Sequence, residues 1–318
     1  MEHLTTLAAH VRRELSKIIV GQTEAVDQLL LVLACGGHAL IEGVPGVGKT
    51  LAAKSLARVC GLDFHRVQCT PDLMPADVTG TNVFRIADST FQLHRGPVFT
   101  DLLLVDEINR TPPRTQSALL EAMEERQVTI DGVRYPLSAN FTVLATQNPI
   151  EFEGTYPLPE AQLDRFLFKI RMDYPALEEE ATILARYETG FDARRWLDVP
   201  LDPIDGGVLA AARAEIEQVR IEPGLFPYIV AIVRRTRDWP AVALGASPRA
   251  AVGLLYVARA LAAMDARDYL LPDDVKSAAL PVLRHRLVLK PEAEMEGLQP
   301  DHVISQIVNS VDIPKRTA

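Results

Sequence analysis

The sequence holds only three cysteines, Cys35, Cys60 and Cys69, an odd number with no CxxC spacing, each set in an apolar segment. That scarcity argues against a disulfide framework or a cysteine metal centre and leaves reduced core thiols as the expectation. Long hydrophobic runs are also missing, so no stretch reads as a bilayer span. The opening stretch, MEHLTTLAAHVRRELSKI, lacks the apolar h-region and small-residue cleavage site of a signal peptide. It places Leu4, Leu7, Val11, Leu15 and Ile18 along one helical face instead. The expected setting is therefore cytoplasmic. Positive charge is in deficit as well: 33 Lys and Arg stand against 42 Asp and Glu, a formal net charge of −9. This balance opposes the attraction that supplies most non-specific nucleic-acid binding, although a local basic patch stays compatible with it. Nor is there an internal repeat or a low-complexity tract.

What is present is the composition of a soluble globular protein, 48% hydrophobic and 24% charged. At 318 residues the chain exceeds what one core usually organises, so two domains are expected. Up to about residue 172 short β-like runs alternate with amphipathic helical ones, and beyond that the pattern is almost entirely helical. The shift predicts an α/β domain over 1–173 and a C-terminal all-α domain over 174–318. The β-like runs are HALIE (38–42), FHRVQC (64–69), LLLVDE (102–107), FTVLAT (141–146) and FLFKIRM (166–172). The third and fourth are nearly continuously apolar, as expected of central parallel strands covered on both faces. Two insertions interrupt the alternation. Residues 82–95 read as two short strands around an Asp88–Ser89 turn, and 128–137 as a hairpin around Asp131–Gly132, a pair suited to a type I′ turn. Both should protrude. The segment LDVPLDPIDGG (197–207) reads as a linker.

Residues 43–50, GVPGVGKT, fit G-x-x-x-x-G-K-[ST] through Gly43, Gly48, Lys49 and Thr50, after a strand and at the start of a helix. Glycines let the backbone curl so that N–H groups point at phosphate oxygens, and the helix N-terminus adds a favourable dipole. Lys49 would reach the β and γ phosphates and the Thr50 hydroxyl would ligate Mg²⁺. A tight strand-to-helix turn with a solvated lysine is the plain alternative. A magnesium site needs an acidic partner at the end of a neighbouring strand, and LLLVDEINR supplies it. Asp106 would hold the ion, and Glu107 would orient or deprotonate the attacking water. Asn148, after the fourth strand, either positions that water or caps a turn before Pro149.

The segments GVPGVGKT, DLMPADVTG, GPVFTDLLLVDEINRTPPRTQSALLEAMEERQVTIDG, LATQNPIEFEGTYPLPEAQLDRF and GASPRA together resemble the MoxR family of AAA+ ATPases, in order and spacing, over essentially the whole chain. The resemblance implies a parallel five-stranded P-loop NTPase core of order 5-1-4-3-2, a helical lid, and hexameric rings with ATP between subunits. It identifies the first insertion as the helix-2 insert and the second as the pre-sensor-1 hairpin, features shared with magnesium chelatase and MCM helicases. Within the glycine loop the nucleotide contacts would run through Gly43, Val44, Pro45, Gly46, Val47, Gly48, Lys49, Thr50 and Leu51. Asn148 becomes sensor 1, Arg165 in QLDRF the arginine finger, and Arg249 in GASPRA sensor 2. From the residues alone, the plainer readings come first: Arg165 pairs with Asp164 or Glu160 on a surface helix, and Arg249 sits in the first turn of a helix after Pro248. In IVGQ, Val20 would pack on adenine and backbone around Gly21 would read its edge, where a plain loop is the alternative. Arg110 and the glutamates at 121, 124 and 125 would lie near a subunit interface, and a solvated helix face explains the glutamates equally well.

The same resemblance implies Mg²⁺-dependent conversion of ATP to ADP that drives chaperone-like remodelling, assembly or metal insertion of a client protein, often with a partner bearing a von Willebrand factor A domain. A nucleic-acid motor is the competing class, but the inserts offer only Arg85, Arg95 and Arg134 for phosphates. A scaffold that binds nucleotide without hydrolysis is disfavoured by the full residue set.

Overall fold

The computed structural model describes residues 1–87, 89–149 and 154–314, so Asp88 of the expected turn and 150–153, just after LATQNP, lie outside the described residues. The chain gathers into two compact units. One comprises Met1–Ala9, Pro159–Lys169 and Gly207–Ala318, and the other His10–Leu158 and Ile170–Gly206. This division differs from a single cut at 173/174. The composition shift marks where strands stop, whereas the units are set by what packs together. The stretch after the last strand completes a cavity in the sheet unit, and 159–169 is bound by arginines of the helical unit.

The sheet unit holds α1 from His10 onward (Glu2–Leu15 in full), α2 (Thr23–Ala34), β1 (Ala39–Gly43), α3 (Lys49–Val59), β2 (Phe64–Gln68), α4 (Pro75–Thr79), β3 (Gly80–Arg85) and β4 (Thr90–Arg95). It continues with β5 (Leu102–Asp106), α5 (Pro113–Glu125), β6 (Gln127–Ile130), β7 (Val133–Pro136) and β8 (Thr142–Gln147). After α6 (Glu160–Leu163), which belongs to the other unit, come β9 (Phe168–Met172, entering at Ile170) and α7 (Leu177–Glu188). The main sheet runs β2-β5-β8-β1-β9. Numbered as core strands this is 5-1-4-3-2 read from β9, the order the resemblance implied. Neighbours β2–β5, β5–β8 and β8–β1 are parallel. Every residue of β5 is buried, as is β8 up to Thr146, which explains their unbroken apolar runs. Parallel register brings the C-terminal ends of β1, β5 and β8 level at one edge.

Both insertions form antiparallel ribbons, β3–β4 and β6–β7. Asp131 and Gly132 have φ of +50° and +80°, the left-handed pair a type I′ turn requires. Asn82 of β3 donates to the Asp131 carboxylate at 2.7 Å and ties the ribbons together. The β3–β4 ribbon exposes Val83, Phe84, Ile86 and Phe91, with the two phenyl rings 5.2 Å apart.

In the helical unit follow α8 (Gly206–Gln218, entering at Gly207), α9 (Leu225–Arg237), β10 (Val242–Leu244), α10 (Pro248–Met264), α11 (Pro272–Leu283), β11 (Val288–Leu289), α12 (Pro291–Met295) and α13 (Pro300–Ser310). The β10–β11 ribbon is too short to carry a period-two signature and went unread in the sequence. Leu254, Val257, Val275, Val282, Ile304 and Ile307 are fully buried and form its core. The Glu215 carboxylate accepts from the N–H groups of Glu2, His3 and Leu4 at 2.9–3.0 Å and so closes the start of α1.

Candidate active site

The glycine loop lies between β1 and α3, and its glycines answer to different constraints. At Gly43 a Cβ would come within 2.3 Å of the Met172 carbonyl oxygen, so only glycine lets β9 pass this closely. Gly46 and Gly48 have φ of +90° and +91°, a region open to glycine at little cost. Gly48 is the N-cap of α3 and no side chain caps that terminus, so the first-turn N–H groups are available to an anion. The Lys49 ammonium donates to the carbonyl oxygens of Gly43 and, at 2.9 Å, Val44.

Facing the loop are the ends of β5 and β8. The Thr50 hydroxyl donates to Asp106 Oδ2 at 3.2 Å, and Arg66 of β2 donates to the same oxygen from Nη2 at 2.7 Å and Nε at 3.1 Å. The Thr146 hydroxyl donates to Asp106 Oδ1 at 2.6 Å. Partial burial pushes the Asp106 carboxyl up, but the Thr146 and Arg66 hydrogen bonds and the guanidinium charge outweigh it and hold the group below its ordinary value. Glu107 takes φ +60°, ψ +53°, a left-handed backbone that is uncommon outside glycine and clusters at functional sites. Its N–H donates to Thr146 Oγ1 at 2.9 Å. Its carboxylate meets Gln68 Nε2 at 3.1 Å and Arg110 Nε at 3.2 Å. Arg110 is thereby tied to the candidate site through Glu107.

These groups line a cavity of ≈450 Å³. Pro45 to Leu51, Asp106, Glu107, Thr146 and Asn148 form its polar end, while Ile18, Ile19, Val20, Pro175, Ile183, Tyr187 and Phe191 form an apolar one. An apolar slot continuous with a polar anion cradle suits a flat heteroaromatic base joined to phosphates. Arg186 of α7 also lines it and donates to the Ser16 and Lys17 carbonyls at 3.0 and 3.2 Å, fastening α7 to the end of α1.

Of the residues singled out in the sequence, Val20, Pro45, Gly46, Val47, Gly48, Lys49, Thr50, Leu51, Asp106, Glu107 and Asn148 are brought together here. Gly43 and Val44 act through their carbonyls beneath the loop. Gly21 instead lines a neighbouring hollow, with φ +68° and the Glu179 carboxylate against its Cα. Arg165 and Arg249 belong to the helical unit. There Asp164, a candidate partner for Arg165, is held by Arg286 at 2.8 Å and by the Ser247 hydroxyl at 2.8 Å. Sequence reasoning missed Thr146, Arg66, Gln68 and the α7 aromatics. Thr146 could have been found as the residue level with Asp106 on an adjacent strand. Arg66 and Gln68 show as polar residues two apart on an edge strand, hence on one face. The α7 residues carry no signal of their own.

The profile of the family described as "ATPase family associated with various cellular activities (AAA)" matches residues 38–168, and that of the "AAA lid domain" matches residues 234–307. Chaperone MoxR1 of Mycobacterium tuberculosis is 44% identical over 316 residues, which cover 96% of this chain and 82% of that protein. Protein MoxR of Methylorubrum extorquens is 33% identical over 334 residues, covering 96% and 95%. A crystal structure of a candidate ATPase from Cytophaga hutchinsonii shares 42% identity, with a TM-score of 0.88 over 98% of this chain and 96% of that one.

Proposed function

Because the chain belongs to the MoxR family of AAA+ ATPases, we propose that its ATP hydrolysis takes place at subunit interfaces of a hexameric ring and drives chaperone-like remodelling or assembly of a client protein. The observation that carries the nucleotide chemistry is the single cavity in which an uncapped helix N-terminus, Lys49, Thr50, Asp106 and Glu107 converge beside an apolar slot. The loop N–H groups and Lys49 bind the phosphates, and Val20 with the α7 side chains holds the base. Glu107 takes the proton of the attacking water, which Asn148 orients, and Arg165 of a neighbouring subunit meets the charge developing on the γ phosphate. Arg249 serves as sensor 2.

The Thr50 hydroxyl and the ionised Asp106 carboxylate are a hard oxygen pair that fits Mg²⁺. No cluster of three or more His, Cys, Asp or Glu exists among the described residues, so the ion would draw its remaining ligands from phosphate and water. Its chemistry there is neutralisation of phosphate charge.

The exposed apolar side chains of the β3–β4 ribbon support a protein client, since such patches mark sites of protein contact. The basic side chains nearby are already engaged: Arg85 donates to Gln92 at 3.1 Å and Arg95 lies 5.1 Å from the Phe99 ring. A client delivered with a von Willebrand factor A domain partner, and assembly that includes metal insertion, complete the reading. The test is steady-state ATPase activity of the wild type, Lys49→Ala and Glu107→Gln, with and without single-stranded DNA at two salt concentrations. Lys49→Ala should abolish nucleotide binding, and tight ATP binding by that variant would overturn the assignment of the phosphate loop. Glu107→Gln should bind normally, hydrolyse slowly and retain client protein in a pull-down. Strong, salt-sensitive stimulation by DNA would point to a nucleic-acid motor instead.

A further inference from the structure

We propose that Arg286, together with Asp164, is a positioning residue that fixes the backbone on both sides of Arg165. The inference rests on the reading of Arg165 as the group that stabilises charge in a neighbour's site. Arg286 follows α11 and its side chain is only 4% exposed. All five of its N–H donors are used. Nε donates to Asp164 Oδ1 at 2.8 Å, Nη2 to the Asp164 and Phe166 carbonyls at 3.2 and 2.7 Å, and Nη1 to the Leu167 and Val282 carbonyls, the first at 3.3 Å. Four of these five bonds end on residues 164, 166 and 167, which bracket Arg165.

Two neighbours reinforce the hold. His285 Nε2 donates to the Phe166 carbonyl at 2.9 Å, and Arg284 Nη1 donates to the Lys169 carbonyl at 3.3 Å. The Asp164 carboxylate reaches further: its Oδ2 accepts from the Ser247 hydroxyl at 2.8 Å, and that hydroxyl accepts from the Arg249 N–H at 3.1 Å. One ion pair, buried on its Arg286 side and half-buried at Asp164, therefore fixes the chain at both candidate arginines.

An apolar side chain would fill the same volume without the desolvation penalty that a buried guanidinium carries. What the guanidinium adds is direction, since its rigid fork holds several main-chain carbonyls at once, which a lysine does not reproduce. Arg165 has a long, flexible side chain, so its guanidinium is placed reproducibly only if its backbone is. A displacement of about 1 Å at a catalytic group can cost about a hundredfold in rate.

The experiment compares full-length Arg286→Lys, Asp164→Asn, Arg165→Ala and the Arg165→Ala/Arg286→Lys double variant by turnover, MgATP affinity and thermal melting. The expected result is an at least tenfold fall in kcat for Arg286→Lys with affinity within about threefold of wild type, and a double variant no slower than Arg165→Ala alone. Asp164→Asn, which keeps the shape and removes the charge, should show the same split and decides the matter if Arg286→Lys does not fold. Unchanged kcat in a folded variant, a loss that multiplies in full with that of Arg165→Ala, or a parallel loss of affinity would overturn the proposal. Arg165→Ala at full speed would overturn the reading of Arg165 itself, and the clamp with it. Arg165→Ala slow beside Arg286→Lys at full speed would overturn the clamp alone.

Discussion

Thr146 shows how one hydroxyl organises two carboxylates. It donates to Asp106 at 2.6 Å and accepts from the Glu107 N–H at 2.9 Å, so it supports both the ionised state of the first and the left-handed backbone of the second. Thr146→Val preserves the β-branched shape and deletes both bonds. Turnover should fall about tenfold or more while MgATP affinity stays within about threefold, measured by steady-state kinetics and calorimetry. His38 offers a second residue-scale prediction. It is buried, its Nε2–H donates to the Met123 carbonyl at 3.1 Å and its Nδ1 accepts from the Val143 N–H at 2.9 Å, an arrangement that requires the neutral ring. Burial, aided by the nearby Arg126 charge, pulls its pKa from 6.5 down to about 4. The unfolded chain then binds the proton more readily, so the contribution is present above 6.5 and is lost as pH falls towards about 4. Denaturant melts across that window should lose roughly 3 kcal/mol, and His38→Gln should flatten that part of the slope.

At the scale of elements, the β3–β4 ribbon is pinned at its base by two glycines. Gly80 has φ +95° and ψ 177°, a conformation essentially reserved to glycine, and a Cβ on it would come within 2.3 Å of the His94 carbonyl oxygen. A Cβ on Gly96 would come as close, 2.3 Å, to the Val78 carbonyl oxygen. Gly80→Ala should therefore cost of order 2 kcal/mol and loosen the ribbon. Thermal melting should register the loss and calorimetry with MgATP should not, because the ribbon lies outside the nucleotide cavity. A large loss of nucleotide affinity would mean that the ribbon base and the site are coupled.

For the whole molecule, the proposed ring would complete each site from a neighbouring subunit and so make hydrolysis depend on assembly. On that reading Arg165→Ala leaves its own cavity intact but deprives a neighbour, whereas Glu107→Gln disables its own cavity but still supplies a finger. Each variant alone should be nearly inactive, and mixing the two should restore turnover that neither shows, read in a simple ATPase assay. No recovery would place Arg165 outside the neighbouring site.

How much of this was legible in the sequence follows from the range of the interactions involved. The glycine loop, the strand ending in Asp106 and Glu107, the Asp131–Gly132 turn and the helical periodicities were readable because each is imposed by local backbone conformation or by burial along one element. Strand order and the proposed roles of Arg165 and Arg249 came from the family resemblance rather than from periodicity, and the same resemblance favoured one of the two readings that the residues left open for Asn148. Thr146 against Asp106, Arg66 and Gln68 across from the β5 end, the apolar slot supplied by α7, and Arg286 on the backbone around Arg165 were decided only by tertiary structure. They join residues distant along the chain, and no local propensity records which buried donor meets which acceptor.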